Sequence, residues 1–128
     1  MYVGDRRHDV ASIYVGENII NYYDSLNPGS KPWAYVVKQF HEAYRLRPGT
    51  LRVQSIKCQQ QDNVDCIVFS VANIWAFFMG LDPSRIVFDR TELRSELFKS
   101  FKQRKLSFSY NNCKYRGEDN IFEFPIDK

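Results

Sequence analysis

The stretch NIINYYDSLNPGSKPWAYVVKQFHEAYRLRPGTLRVQSI, residues 18–56, contains two strand-like segments separated by a helix-like one. Residues 18–23 are rich in β-branched and aromatic side chains and residues 51–56 alternate, and both patterns are typical of strands. The segment from about Pro32 has its apolar residues at helical spacing: Trp33, Val36, Val37, Phe40 and Tyr44. Because a helical crossover joins the two strands in a β-α-β unit, we predict that they run parallel.

The residues on either side of this unit predict a hairpin and a buried helix. VASIYV at 10–15 is separated from the strand at 18–23 by Gly16-Glu17, which predicts an antiparallel pair. Residues 66–79 are almost wholly apolar, are too many for one strand and lack a helix breaker before Gly80. We therefore predict that they form a buried helix.

A last helix and an extended tail complete the predicted fold. Asp89 and Glu92 have capping-box spacing, and the inward face of the helix that they open is predicted to be Leu93, Leu97, Phe98 and Phe101. After this helix the apolar pattern fades, so residues 111–128 are expected to be extended or only partly ordered. The expected class is α+β, with a small mixed sheet flanked by helices in residues 1–110 and a C-terminal tail at 111–128.

Composition narrows the classes of protein to which the chain belongs. A length of 128 residues favours one domain, and a net charge of +3 does not favour nucleic acid as a partner. Three cysteines are an odd number, which argues against a disulfide framework and favours a reducing nuclear or cytoplasmic setting. No apolar run is long enough for a membrane span, and no paired cysteine or histidine spacing indicates a metal site. We expect no cofactor.

The predicted topology brings four polar residues to one edge of the sheet. His8 precedes the first strand and Asp24 follows the second, so a hairpin puts both at the same end. The parallel crossover then adds Gln60 and Cys66, which follow the third strand. Cysteine, histidine and aspartate are the parts of an activated thiol nucleophile, and a glutamine amide can stabilise an oxyanion. Taken alone, Cys66 has a second interpretation as a small buried apolar residue.

These residues resemble the Ulp-type cysteine peptidases, which release SUMO and related ubiquitin-like proteins. The similar pieces are His8, Tyr23-Asp24-Ser25-Leu26, and Gln59-Gln60 followed by Asp65-Cys66. The resemblance covers most of the chain, and the segment at 80–101 is most similar to the transposon-borne branch.

The resemblance implies a papain-like core and a peptidase that cleaves a ubiquitin-like modifier or a polyprotein. His8 would be the general base, Asp24 would orient it, Gln60 would donate to the oxyanion, and Cys66 would be the nucleophile. Protein substrates would be the partners, in the nucleus or cytoplasm.

Three departures from the family pattern keep a second function open. The family's tryptophan after the histidine is Asp9 here, and its glycine after the cysteine is Ile67. Only seven residues precede His8, so we expect a trimmed fold whose exposed apolar surface is covered by self-association or by a partner chain. The alternative to a peptidase is an inactive, protease-derived protein-interaction module.

Overall fold

The computed structural model describes residues 9–61 and 65–126. Within them the chain has an α+β fold with a four-stranded mixed sheet, a two-stranded sheet and three α-helices. None of these helices is long and apolar enough to cross a membrane. The elements in chain order are β1 (Ala11–Gly16), β2 (Ile19–Tyr23), α1 (Ala34–Ala43), β3 (Gly49–Ser55), α2 (Cys66–Phe78), a 3-10 turn (Pro83–Arg85), β4 (Ile86–Phe88), α3 (Leu93–Gln103), β5 (Tyr110–Asn112) and β6 (Asn120–Ile126).

The main sheet has the strand order β1-β2-β3-β6. β1 and β2 are antiparallel and β2 and β3 are parallel, so the predicted hairpin and the predicted crossover are both confirmed. β6 lies antiparallel to β3, with Ile126 opposite Gly49. The part of the tail from Asn120 to Ile126 is therefore an extended strand of the main sheet.

The two faces of the sheet carry different helices because side chains alternate along each strand. Ile20 and Tyr22 of β2 face α1, and Phe40 of that helix is fully buried against them. Tyr23 belongs to a small cluster on the other face, against which Ile74 of α2 packs. A third cluster joins α2 to β4 and α3. The sheet thus lies between α1 and α2, and the beginning of α2 meets the sheet edge where the predicted site lies.

The prediction for the inward face of α3 is wrong in part. Leu93 is buried and Leu97 packs against the α2 cluster, but Phe98 is 67% and Phe101 70% exposed. Positions 93, 97 and 100 share one helical face, and the third of these is Ser100. Its hydroxyl group donates to the Glu96 carbonyl at 2.8 Å.

The predicted capping box at the start of α3 is also replaced by another arrangement. Glu92 occupies the N-cap position but makes no capping hydrogen bond with its side chain. The Asp89 carboxylate instead accepts from the backbone N–H and the hydroxyl group of Thr91.

Asn18 fixes the hairpin turn against the loop that follows α1. Glu17 and Asn18 both have positive φ, at 54° and 59°, so the turn lies one residue later than the predicted Gly16-Glu17 pair. The Asn18 side chain accepts from the Arg47 N–H at 2.9 Å and donates to the Arg47 carbonyl at 2.8 Å. The first crossover strand is thereby tied to the chain that leads into the second.

We predict that Asn18→Gly destabilises the protein by about 1–2 kcal/mol, because it removes both side-chain hydrogen bonds but keeps the positive φ. Asn18→Ala should cost about 1 kcal/mol more, since alanine is strained in this conformation. Urea denaturation followed by circular dichroism measures both values. Wild-type stability in Asn18→Ala would contradict this role.

Candidate functional site

Cys66 is the first residue of α2, where a polar loop meets an apolar helix. It is 5% exposed, and its Sγ lies 3.7 Å from Oδ2 of Asp9, in the geometry of a weak thiol hydrogen bond. The two residues are 57 positions apart, and Asp9 lies two residues before the first residue of β1. The start of the first strand therefore lies against the start of α2. His8, the predicted base, lies outside the described residues.

Asp24 follows β2 and is 6% exposed. Its Oδ1 accepts from the backbone N–H groups of Leu26 at 3.0 Å and Asn27 at 3.2 Å. Its Oδ2 lies 3.4 Å from the Tyr22 hydroxyl and 3.5 Å from that of Ser30. Burial and the neighbouring Asp24 raise the pKa of Tyr22, so that phenol stays protonated as a donor. These contacts hold the carboxylate at the sheet edge and shape the turn after β2.

The three consecutive glutamines have three different environments. Gln59 is buried; its side-chain oxygen accepts from the Phe88 N–H at 2.7 Å, and its amide nitrogen lies 3.4 Å from the Phe88 carbonyl. Gln60 is exposed and donates to the Leu26 carbonyl at 3.3 Å. Gln61 is buried and contacts Ser25 through its backbone N–H, at 2.8 Å, and through its side-chain oxygen.

Leu26 connects the two predicted site residues on this side. Its N–H donates to Asp24 and its carbonyl accepts from Gln60. The loops after β2 and β3 are thus joined where the parallel strands end. The structure brings Asp24 and Gln60 to one edge of the sheet, and it brings Cys66 to the residue that follows His8.

Two arginines that sequence reasoning missed support the glutamine loop and the start of α2. Arg90 donates to the Gln60 carbonyl. Arg94 pairs with Asp65, with Nε 2.7 Å from Oδ1. Asp65 occupies the N-cap position of α2 but makes no side-chain capping bond, and its carboxylate forms this ion pair instead. The feature of the sequence that could have indicated these contacts is the four-residue spacing of the two arginines, one just before α3 and one in its first turn.

Ile67, the residue after Cys66, is 58% exposed. It does not turn into the core, so its side chain lies on the outer surface beside the nearly buried sulfur. A molecule that approaches Cys66 from this side must therefore pass a β-branched side chain.

The other two cysteines are poor candidates for a nucleophile. Burial raises the pKa of Cys58 to about 12, and the nearby Asp24 carboxylate adds to this effect. Its thiol therefore stays protonated at neutral pH. Cys113 is half-buried, and its backbone N–H donates to the Arg85 carbonyl at 2.8 Å. Among residues 9–61 and 65–126, no group of three or more His, Cys, Asp or Glu side chains is arranged to hold a metal ion.

A pocket of about 360 Å³ lies beside Gln60. Pro28, Lys57, Cys58 and Arg116 form the rest of its lining. A second pocket, of about 380 Å³, is acidic and is lined in part by Asp82, Glu118 and Asp119. Burial and Asp82 raise the pKa of Asp119. Of these two pockets, the one beside Gln60 adjoins the predicted site.

Comparisons with protein families, curated proteins and solved structures find no match to this chain. The geometry of its own residues is therefore what bears on its function.

We predict that Gln59→Leu destabilises the protein by about 1–3 kcal/mol, because it leaves the buried N–H of Phe88 without its acceptor. Gln60→Leu is the matched control and should change the free energy of unfolding by less than about 0.5 kcal/mol, since Gln60 is exposed. Urea denaturation compares the two. Equal effects would contradict the division of roles between these glutamines.

Proposed function

We propose that this chain is a cysteine peptidase with a papain-like core of the Ulp type. Cys66 is the nucleophile, His8 the general base, Asp24 the residue that orients it, and Gln60 the oxyanion donor. The observation that carries the proposal is the contact between the Cys66 sulfur and Asp9, 3.7 Å apart. It brings the chain segment next to His8 against the first residue of α2, and a general base must act within reach of the thiol.

The proposed reaction begins when the His8 imidazole takes the Cys66 thiol proton. The thiolate attacks the scissile carbonyl carbon, a C–S bond forms, and the carbonyl π electrons move to oxygen. That oxyanion is stabilised by the Cys66 N–H and by Gln60, whose amide has a second N–H beyond the one directed at Leu26. The C–N bond then breaks as the imidazolium protonates the leaving amine, and water hydrolyses the thioester.

The substrate class follows from the resemblance and not from the pocket chemistry. A ubiquitin-like modifier or a polyprotein in the nucleus or cytoplasm would present an extended segment to the sheet edge. Ile67 narrows the approach to the sulfur, so a thin, glycine-containing tail would fit better than a bulky one.

A second candidate function, an inactive interaction module, is favoured by the outer face of α2. Ile67 and Phe78 are exposed on this face, one near each end of the helix, whereas Val71 and Ile74 between them are half-buried and pack inward. Ile67 is 58% and Phe78 72% exposed. Large apolar side chains that are exposed at both ends of an otherwise buried helix are suited to contact with a partner.

α3 carries two further exposed apolar side chains and adds positive charge. Phe98 and Phe101 share a helical face with Arg94, which is paired with Asp65 next to Cys66. Lys102 Nζ lies 5.6 Å from the centre of the Phe98 ring. A second copy of the chain would bring the same cations together, whereas an amphipathic segment with acidic flanks would complement them.

We predict that His8→Ala slows alkylation of Cys66 by iodoacetamide at pH 6 by about tenfold or more. An unassisted thiol with a pKa of about 8.5 is less than about 1% ionised at that pH. Mass spectrometry of the Cys113→Ser protein measures the labelling of Cys66, because the other remaining thiol, Cys58, stays protonated and does not compete for the reagent. An unchanged rate in His8→Ala, with the fold intact by circular dichroism, would exclude the peptidase mechanism.

We predict that Ile67→Gly increases labelling of Cys66 by a ubiquitin-like vinyl sulfone by up to ~10²-fold, the scale of small misplacements near a reacting centre. Labelling by the much smaller iodoacetamide should change little. A panel of ubiquitin-like probes identifies the modifier. No vinyl-sulfone labelling of either form would leave the interaction module as the function.

For the interaction module, we predict that a Leu- and Glu-rich amphipathic helical peptide binds and that Phe98→Ser with Phe101→Ser weakens it by about tenfold or more. Fluorescence anisotropy measures the affinity, and Val15→Ser, at an exposed valine on β1, is the control. Equal binding of a Leu- and Lys-rich peptide, or a dimer of the free chain in light scattering, would contradict this partner chemistry.

A further inference from the structure

The pocket beside Gln60 contains a lysine whose position is fixed by its surroundings. Lys57 lies between two glycines with positive φ, Gly29 at +79° and Gly117 at +111°. A Cβ atom at Gly29 would lie 3.2 Å from Lys57 Cγ, and one at Gly117 would lie 3.2 Å from Nζ. The backbone at Gly29 therefore lies close to the Cγ and Cε atoms of the lysine, and the backbone at Gly117 lies close to its Cδ, Cε and Nζ atoms.

The turn that covers Lys57 is itself anchored to the main sheet. Asn120 of β6 donates to the Gly29 carbonyl at 2.7 Å, and the hydroxyl group of Ser55 at the end of β3 donates to the Ser30 carbonyl at 2.7 Å. Lys57 is therefore more restricted than a lysine whose side chain is surrounded by solvent. The ammonium group has little rotational freedom left to lose when it binds an anion.

Arg116 adds a second positive charge to the same pocket. Its two terminal nitrogens donate to the carbonyls of Pro83 and Ile86, each at 2.8 Å. Carbonyl oxygens orient the guanidinium group but do not neutralise it. Within the described residues neither Arg116 nor Lys57 has a carboxylate at ion-pair distance, although Asp119 is near enough to Lys57 for the lysine to oppose the rise in its pKa.

We propose that this pocket binds a carboxylate side chain, glutamate or aspartate, of the protein substrate; the proposal rests on the proposed peptidase function and adds a specificity determinant to it. Two fixed cations and the Gln60 amide surround a space of about 360 Å³, which is ample for an acidic side chain. Because Gln60 is also the proposed oxyanion donor, the bound acidic residue lies close to the scissile bond. Lys57 supplies the charge and Arg116 the second donor group.

The direct test is binding of two matched small ligands to the full ¹⁵N-labelled chain. N-acetylglutamate N-methylamide should shift the side-chain amide signal of Gln60 and the backbone N–H signal of Gly117, and N-acetylglutamine N-methylamide should not. Lys57→Met should weaken glutamate binding by about fivefold, the scale of one ion pair. Lys38→Met, at an exposed lysine of α1, is the matched control and should bind as the wild type does.

A second measurement separates failure of the pocket from failure of the peptidase. Peptide vinyl sulfones that differ only in a Glu or a Gln near the electrophile should label Cys66 at different rates, and Lys57→Met should remove the difference. Glutamate binding with an inert Cys66 would support the pocket and overturn the peptidase. Equal labelling by both peptides, with no shifts at Gln60 or Gly117, would overturn the pocket and leave the peptidase standing.

Discussion

β2 and β3 run parallel, and this pairing depends on the burial of α1 against one face of the sheet. The apolar side chains of α1 and the inward residues of both strands form one cluster with Phe40 at its centre. Parallel strands end at the same edge, so the loop that begins at Asp24 and the loop that carries the glutamines must meet. Leu26 then bonds to both Asp24 and Gln60. A change that loosened the α1 packing would therefore move the candidate site as well as lower stability.

The strands and helices of this unit were predictable because their signals are local. Alternation, helical spacing and a turn between strands depend on a few neighbouring residues, and each produced an element of the expected type. The inward face of α3 was not predicted correctly because Phe98 and Phe101 are apolar but lie off the face that Leu93 and Leu97 define. Their exposure depends on which side of the helix packs against α2, and this tertiary contact cannot be deduced from the local sequence. The pairing of β6 with β3 is likewise a long-range contact with no local signal, since Leu51 and its partner Phe124 are 73 residues apart.

The candidate site, like the fold, could be predicted from the sequence only in part. Hairpin and crossover geometry was enough to expect Asp24, Gln60 and Cys66 at one edge, since it needs only strand order and direction. That geometry does not say which glutamine faces solvent. The answer depends on Phe88 of β4, whose backbone bonds to Gln59 and leaves Gln60 exposed. Nor does it reveal Lys57, whose importance comes from two glycines that are distant from it along the chain.

Catalysis and partner binding make opposite demands on the first turn of α2. A nucleophile needs an open approach to Cys66, and a docking helix needs a continuous apolar surface through Ile67. Ile67 is 58% exposed, so its side chain is available to a partner but narrows the approach to Cys66. Cys66, the residue before it, is only 5% exposed. The two demands are compatible if the partner is the substrate itself, as proposed: a modifier that contacts Ile67 would then approach Cys66 past the same side chain.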